Sequence, residues 1–414
     1  MATIDTGNTA WVLASAALVL FMTPGLAFFY GGMVRSKNVL GMLMQNFFAM
    51  GLISVLWAVV GFTLAFGGTG RWIGNFDFTL LKDLHLPETQ LPGYSGGLAL
   101  TIPPLLFCAY QMMFAVITPA LITGATADRL KFAGYATFIG AWSILVYSPV
   151  AHWVFSPNGW LFKRGALDFA GGTVVHINAG VAALAVVLVI GKRRGYPNEP
   201  WPPHSLPLTL LGTGILWFGW FGFNAGSALG ANGLAAQAFM NTNIAAAAAM
   251  LGWLVVERIK DGHATTLGGA SGAVAGLVAI TPCAGFVSVG ASIVIGALAG
   301  GICFLAIWIK RRFGFDDALD VIAVHLVGGI LGSLLLGLFA DLSVNAGGRD
   351  GLFNGGGTEL LVNQLLAVGV TIVFSFVLSY AIARVIDATI GLRVDEADEY
   401  TGLDLSQHAE TAYA

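Results

Sequence analysis

Long apolar runs separated by short polar connections make up most of the sequence. A run of about 20 apolar residues is long enough to cross a bilayer as an α-helix. Eleven such runs occur, at about residues 10–33, 39–67, 97–126, 133–156, 172–191, 207–229, 236–256, 266–283, 288–309, 319–341 and 361–387. The pattern predicts an all-α polytopic membrane protein with eleven transmembrane helices.

Composition supports this class and argues against others. Only 10% of the 414 residues are charged, whereas soluble domains average about 25%. The net charge of −3 and the lack of a basic stripe argue against binding to nucleic acid. The three cysteines lie in apolar runs without a CxxC spacing, so we expect neither a disulfide framework nor a zinc site.

Lysine and arginine residues set the predicted orientation. If successive runs cross the membrane, 14 of the 19 basic residues fall on one side. That side is cytoplasmic by the positive-inside rule, which places the N-terminus outside and the C-terminus in the cytoplasm of a cell-membrane protein. No basic residue precedes the first run, so we expect that helix to be retained rather than cleaved as a signal peptide.

A proline-rich, basic connection at residues 191–206 divides the chain. Because five helices precede it, the next five enter the bilayer inverted, as in many transporter repeats. We predict a first half at 1–190, an inverted second half at 207–341, an eleventh helix at 361–387 and a tail at 388–414. The acidic, polar composition of the tail alone is typical of disorder.

Two histidines mark a candidate site. Asp168 precedes His176 by eight residues, and the same spacing separates Asp317 from His325; a glycine follows each histidine at the fourth residue. Ionisable groups inside membrane segments mark functional sites. Two neutral imidazoles can hydrogen-bond to each other, offer polar edges to a passing molecule or relay a proton. The alternatives are packing histidines or a metal site with His152 as third ligand.

Aromatic residues form a second constellation. Trp220, Phe223 and Ser227 share one face of a predicted helix, and an earlier helix supplies Tyr110 and Phe114 at i, i+4. Either set alone is typical of core or lipid-facing residues. Together with the nearby polar groups, they indicate a cage for a small cation.

Magnitudes argue against passage of an intact cation. Moving a bare monovalent cation into a low-dielectric interior costs on the order of 20 kcal/mol in the idealised limit. Each cation–π contact returns only about 0.5 to 2 kcal/mol. A cation is therefore recruited at the mouth, whereas a weak acid such as ammonium can shed its proton and pass the rings as a neutral molecule.

Polar residues at the predicted helix ends have two interpretations, a structural one and a functional one. Asp168 lies where a helix begins, so it is either an N-cap or a charge that attracts cations to the external mouth. Asn224 lies with Ser227 at the external end of its helix. The aspartates expected to be caps on the cytoplasmic side are Asp316, Asp317 and Asp320.

Enzyme motifs are absent from the sequence. Neither the nucleotide-binding GxxxxGK[ST] pattern nor the zinc-protease HExxH pattern occurs. We predict a protein that is not an enzyme, needs no cofactor and is not coupled to ATP.

Several blocks occur in order along the chain: GLAFFYGGMVRSKN, ADRLKF, GALDFAGGTVVHINAG, WFGFNAGSA and DDALDVIAVH. This combination resembles the ammonium transporters of the Amt/MEP/Rh family, on the bacterial Amt side. The resemblance runs from about residue 10 to the tail motif GLRVDEADEYTGLDLSQHAETAY. It implies a homotrimer with one pore per subunit, eleven helices and an inverted five-helix repeat.

The resemblance also implies residue roles. His176 and His325 would be twin pore histidines, and Phe114 and Phe223 would be stacked rings that close the external vestibule. Asp168 would be a buried structural aspartate near the recruitment site. The residues implied to line that site, where ammonium is captured, are Tyr110, Trp220 and Ser227.

Two positions depart from the family pattern. Phe155 stands where many bacterial members carry a vestibule tryptophan, so cation capture is expected to be weaker or differently shaped. Tyr110 stands where many carry phenylalanine, which keeps an aromatic face and adds a hydroxyl. Neither change affects the histidines.

The implied partners are ammonium or ammonia, with methylammonium as an analogue, and a nitrogen-regulatory PII protein at the tail. Basic cytoplasmic connections are also suited to anionic lipid. Two alternative functions stay open: a passive channel for neutral gas or another small solute, and an ammonium sensor that signals through its tail.

Overall fold

The computed structural model describes residues 3–86, 88–199 and 201–413. This part of the chain is helical and contains no β-strand, which confirms the predicted fold class. The principal helices, numbered in chain order, are α1 Thr6–Met33, α2 Ser36–Phe66, α3 Pro104–Thr126, α4 Phe132–Arg164 (interrupted at 156–159), α5 Gly172–Ile190, α6 Leu206–Ala228, α7 Gly233–Asp261, α8 Thr266–Ile280, α9 Val289–Phe313, α10 Ile322–Phe339 and α11 Glu359–Thr389.

Ten of these helices are long and apolar enough to cross a membrane, within the residues that the structure describes. The other is α8, which has 15 residues and ends at Ile280 rather than at the predicted 283. At about 1.5 Å per residue it is roughly 22 Å long, shorter than a hydrocarbon core of about 30 Å. The third helix also starts later than predicted, because Pro104 occupies its first turn.

The ends of the helices form two faces. The connection at residues 67–103 and the N-terminal residues lie together, as shown by the hydrogen bond from Asp5 N to Thr101 O, 2.8 Å. We call this end the loop face. The opposite end carries residues 390–413, and we call it the tail face.

Glycines bring α1 and α6 into backbone contact. A Cβ added to Gly212 would lie 2.2 Å from Phe29 N, and one added to Gly25 would lie 2.6 Å from the Ile215 side chain. No larger side chain fits at these points, which is the usual device for close helix packing in membranes. The first helices of the two predicted halves are therefore packed against each other.

The tail is folded, so the prediction of disorder from its composition alone is wrong. It forms two short helices, Glu396–Thr401 and Leu403–His408. Leu403 N donates to Asn38 Oδ1, and Asp404 Oδ1 accepts from Gly41 N, each at 2.8 Å. Asp404 thereby supplies an acceptor to the first turn of the α-helical part of α2, which a local reading of composition cannot foresee.

Candidate functional site

The two histidines lie on matching irregular segments. α5 begins with the π-helical turn Gly172–Ile177, and α10 begins with the π-helical turn Ile322–Val327. His176 and His325 each lie within these turns. Single π-helical turns inside helices are frequent at functional sites.

An aspartate caps each of these turns. Asp168 Oδ1 accepts from the amides of residues 171 and 172, each at 2.7 Å, and Oδ2 accepts from Thr173 N at 2.8 Å. Asp317 accepts from Val321 N at 3.1 Å and Ile322 N at 2.8 Å. Both carboxylate oxygens of Asp168 are occupied by backbone donors, which favours the N-cap reading over a free charge at the mouth.

The glycines after the histidines allow α5 and α10 to cross closely. A Cβ on Gly180 would lie 2.5 Å from Leu326 N, and one on Gly329 would lie 3.0 Å from Ile177 Cγ1. The spacing of histidine and glycine seen in the sequence thus has a physical purpose. It brings the two histidine turns side by side.

The imidazole rings meet inside the bundle. His176 Nδ1 lies 3.2 Å from His325 Nδ1, and the ring planes are 20° apart. Their exposed fractions are 1% and 3%. A hydrogen bond between two Nδ1 atoms needs one donor and one acceptor, so two neutral rings must be in different tautomers. No protein group in the described residues bonds to His176 Nε2.

A narrow cavity runs along this pair. Its volume is about 10 Å³, roughly the space needed by one water-sized molecule. The other residues that line it are apolar or aromatic, namely Met22, Leu26, Phe29, Ile117, Leu121, Val175, Leu216, Trp220, Phe223 and Val274. The imidazoles and the Trp220 indole therefore supply the polar side-chain atoms of its lining.

Two phenyl rings lie on the loop-face side of the histidines. The ring centroids of Phe114 and Phe223 are 4.3 Å apart, and both side chains are buried. The Phe223 centroid lies 6.0 Å from that of His176. Along α6, Phe223 lies between Trp220 and the loop-face end of the helix.

Tyr110 and Ser227 lie together beyond the rings. The Tyr110 hydroxyl lies 3.2 Å from Ser227 Oγ and 2.9 Å from Phe223 O. Ser227 Oγ donates to Phe223 O at 2.9 Å. The Tyr110 ring also packs edge-on against Phe114, with centroids 5.0 Å apart.

Trp220 lies deeper than the expected recruitment site. Its indole stacks on His176, with centroids 5.5 Å apart and planes 19° apart, and Nε1 donates to Thr281 Oγ1 at 2.9 Å. Trp220 lies about one helical turn further from the loop face than Phe223. Helical spacing identified its face correctly but carried no information about depth relative to the rings.

Two other expected residues lie at the edge of this arrangement. Phe155 ends the main part of α4 at the loop face, and its carbonyl accepts from the Tyr94 hydroxyl at 3.3 Å. Among the described residues its ring forms no aromatic pair with Tyr110. Asn224 points towards α7, where Nδ2 donates to Thr242 Oγ1 at 3.0 Å, so it joins helices rather than lining the mouth.

The aspartates on the tail face do not all cap helices. Asp316 forms a two-point ion pair with Arg193, at 2.8 and 2.9 Å, and Asp320 pairs with Lys310. Burial alone would raise the pKa of Asp316, but the Arg193 hydrogen bonds and the charge of Arg129 hold that pKa below its ordinary value. The expectation of three caps is therefore wrong for Asp316 and Asp320.

His152 lies apart from the twin histidines. Its Nδ1 is 2.7 Å from Ala65 O, and its Nε2 is 2.7 Å from Gly70 O. Within the described ranges, no group of three or more His, Cys, Asp or Glu residues is suitably placed for a metal ion. Both ring nitrogens of His152 are occupied, so the ring is not placed as a third ligand.

Sequence reasoning missed three features of the site. The π-helical turns have no known local sequence signal. The apolar cavity lining, such as Leu26 and Val274, cannot be distinguished from other apolar core residues. The third feature is Thr281, whose hydroxyl accepts from the Trp220 indole. A single hydroxyl inside an apolar stretch is a signal that could have identified such a buried hydrogen-bond partner.

Comparisons of the sequence and of the structure with known proteins all find the same family. The model of the Ammonium Transporter Family matches residues 10–413. The ammonium transporter of Mycobacterium bovis is 52% identical, over 99% of this chain and 90% of that protein. The crystal structure of Candida albicans Mep2 superposes with a TM-score of 0.89 at 36% identity, over 99% of this chain and 91% of that one. A structure described as a sensor Amt protein superposes with a TM-score of 0.87 at 31% identity, over 97% of this chain and 98% of that one.

Proposed function

The chain belongs to the ammonium transporter family, and from this premise we propose that it recruits ammonium at the loop face, where the ion gives its proton to water before the phenyl rings, and conducts ammonia past His176 and His325. It is a multi-pass cell-membrane protein and a transport protein rather than an enzyme. In this proposal the loop face is outside the cell and the tail face is cytoplasmic. The two inverted halves, 1–190 and 207–341, meet at the histidine pair.

The nature of the cavity carries the proposal. It is about 10 Å³ in volume, and its lining contains no carboxylate to replace the hydration of a cation. Desolvation of a bare cation in such a cavity costs on the order of 20 kcal/mol in the idealised limit. Each nearby aromatic ring returns only about 0.5 to 2 kcal/mol, which is far less. A neutral molecule of the size of water fits, and ammonia is such a molecule.

Recruitment is assigned to the polar groups outside the ring pair. Ser227 Oγ already donates to Phe223 O, so its lone pairs can accept from an ammonium N–H. The aromatic faces of Tyr110, Phe114 and Phe155 add cation–π attraction. Trp220 is assigned to the pore, where it stacks on His176.

The imidazoles receive ammonia and supply a path for charge. The Nδ1 to Nδ1 hydrogen bond of 3.2 Å gives one continuous contact from the ring of α5 to the ring of α10. A proton that binds Nε2 of one ring, followed by transfer of its Nδ1 proton to Nδ1 of the other ring and release of that ring's Nε2 proton, crosses the pair and leaves the two tautomers exchanged. If one proton crosses the pair for each ammonia molecule that passes, transport carries net charge.

An ammonium pulse applied to proteoliposomes tests the proposal. We expect a current from the native chain, and none from the His176→Ala, His325→Ala double variant that is still assembled. His263→Ala, at an exposed position, is the matched control. Unchanged current and uptake in the double variant would contradict the role of the histidines. Flux without current in the native chain would instead support a channel for neutral gas.

A sensor role is the second candidate, because the sensor Amt protein is a structural neighbour. Its test is whether a conduction-dead variant still gives the cellular nitrogen response. We further propose, from the family resemblance, a homotrimer and a PII protein that binds at the tail face beside anionic lipid. Native mass spectrometry and pull-down with purified PII protein test these assemblies.

A further inference from the structure

The eleventh helix lies outside the two predicted halves, yet its buried polar side chains bind the elements that carry the histidines. Gln364 on α11 has an exposed fraction of 0%. Its Oε1 accepts from Leu167 N at 2.8 Å, and its Nε2 donates to Leu167 O at 2.8 Å and to Ser333 O at 3.1 Å. One amide group therefore joins the residue immediately before Asp168 to α10.

These contacts fix the orientation of the Gln364 amide. Both of its N–H groups face carbonyl oxygens, and its oxygen faces a backbone N–H. The opposite orientation would place the amide oxygen against two carbonyls, which can only accept. Because Leu167 exchanges both of its backbone hydrogen bonds with one side chain, it is paired as a residue in an antiparallel strand is paired with its neighbour.

A second polar contact binds α5 on the other side of His176. Ser375 Oγ, eleven residues after Gln364 on α11, donates to Asn178 O at 3.1 Å. Eleven residues complete about three helical turns, so both side chains lie on one face of α11. Leu167 precedes His176 by nine residues and Asn178 follows it by two. The same helix face therefore holds the chain before and after His176.

An apolar side chain joins this face of α11 to both histidine turns. Val368, four residues after Gln364, belongs to one buried apolar cluster with Ile177 and Leu326. These two residues directly follow the two histidines in the chain. The polar and apolar contacts of α11 thus converge on the elements whose turns face each other.

We propose that Gln364 is a positioning residue for the histidine pair. Its amide joins the segment that leads into α5 to α10, and so sets how the two histidine turns lie relative to each other. The distance of 3.2 Å between the two Nδ1 atoms depends on that relative position. Gln364 is not among the residues that line the cavity, so it acts through the elements that it joins. The consequence for transport rests on the proposed function, whereas the consequence for the pair does not.

The contact between the histidines is measured by ¹⁵N NMR of histidine-labelled full-length protein in lipid bilayers. A cross-peak between the two Nδ1 atoms reports that they are adjacent, and its loss in His176→Ala and in His325→Ala assigns it. Gln364→Met keeps the length of the side chain but removes all three hydrogen bonds. We expect assembled Gln364→Met to lose the cross-peak. An undiminished cross-peak would overturn the proposal.

Ser379→Ala is the matched control on the same helix. Ser379 is buried, and its Oγ accepts from Trp142 Nε1 at 2.9 Å, which binds α11 to α4. This replacement also leaves a buried donor without its partner, but it keeps the contacts of Gln364. We expect Ser379→Ala to retain the native cross-peak. Loss of the cross-peak in this variant too would indicate a general loosening of α11 and would overturn the specific role of Gln364.

A shorter amide provides a second variant if Gln364→Met does not assemble. Gln364→Asn keeps both kinds of hydrogen-bonding atom but lacks one methylene, so its amide cannot reach Leu167 and Ser333 at the same time. We expect this variant to weaken the cross-peak. A cross-peak of native intensity in Gln364→Asn would overturn the proposal.

Transport by the same variants separates this inference from the proposed function. We expect Gln364→Met to lower the maximal rate of ammonium uptake by about 10-fold or more, because misplacement by about 1 Å can cost 10²-fold. The KM should stay within about two-fold of the native value, since the hydrogen bonds of Tyr110 and Ser227 lie between α3 and α6. A raised KM with an unchanged maximal rate would contradict positioning at the histidines.

The two readouts fail in different ways. Loss of the cross-peak with unchanged uptake would support the positioning role and contradict the part that the proposed function gives to the histidines. If the native chain itself carried no ammonium, the proposed function would fail, and the cross-peak would still decide whether Gln364 positions the pair.

Discussion

Replacing Asp168 by asparagine measures how much the histidine turn depends on its cap. Asp168 Oδ1 accepts from the amides of residues 171 and 172, and Oδ2 accepts from those of Thr173 and Val174. Whichever way the asparagine amide is oriented, its NH₂ group faces two backbone donors. A buried donor left without a partner costs about 1–3 kcal/mol, so Asp168→Asn should lower the free energy of unfolding by about 2–6 kcal/mol.

Asp317→Asn is the internal comparison. Each Asp317 oxygen accepts one backbone amide, so the same substitution leaves one donor unpaired and should cost about 1–3 kcal/mol. Asp261→Asn, at an exposed helix end, should change stability by less than about 0.5 kcal/mol. Unfolding in mixed micelles by SDS titration, combined with uptake per folded molecule, is the assay. An Asp168→Asn variant as stable as Asp261→Asn, or less affected than Asp317→Asn, would refute the reasoning.

Three further predictions concern the gate, the tail face and the tail. Phe223→Leu keeps apolar volume but removes the aromatic face, so the KM for ammonium should rise by about 2- to 30-fold; an unchanged KM in uptake assays would count against the ring. Arg193→Gln should destabilise the fold by about 3 kcal/mol at neutral pH, because Asp316 loses its buried partner. The pKa of Asp316 is below its ordinary value, so this contribution is complete above about pH 4 and is lost as the pH falls through the folded-state pKa; a difference from the native chain that persists in full at lower pH in SDS unfolding would contradict the pairing. Asp404→Ala should free the tail and make its limited proteolysis about 5-fold faster, from a cap worth about 1 kcal/mol, with Glu410→Ala as the neutral control; equal cleavage rates would contradict docking through Asp404.

The sequence predicted the parts of the fold that depend on one-dimensional pattern. Apolar run length identified the helices, and the common spacing of Asp168 and His176 with Asp317 and His325 identified two segments that meet. The Amt-type blocks then supplied the family. Each of these signals is local, or repeats at a fixed interval along the chain.

The errors share a different cause, which is dependence on partners distant in the chain. Residues such as Asp404 reach partners more than 300 positions away, and an acidic composition gives no sign of them. Asp316 pairs with Arg193, 123 residues earlier, rather than with its own helix end. Trp220 stacks on His176, and its depth relative to Phe114 depends on where α3 crosses α6, which spacing along one helix does not specify.

A π-helical turn holds about one residue more than an α-helical turn, so the chain beyond it is rotated by roughly 100° relative to an unbroken helix. Whether His176 faces His325 therefore depends on the number of residues in each turn. A deletion of Val174 or Val175 would keep every polar side chain of this turn yet turn His176 away from its partner. The two halves carry the same extra residue, so Asp168, His176 and Gly180 align with Asp317, His325 and Gly329 without a gap. We therefore expect a change in the length of either turn to disturb the histidine pair more than most substitutions would.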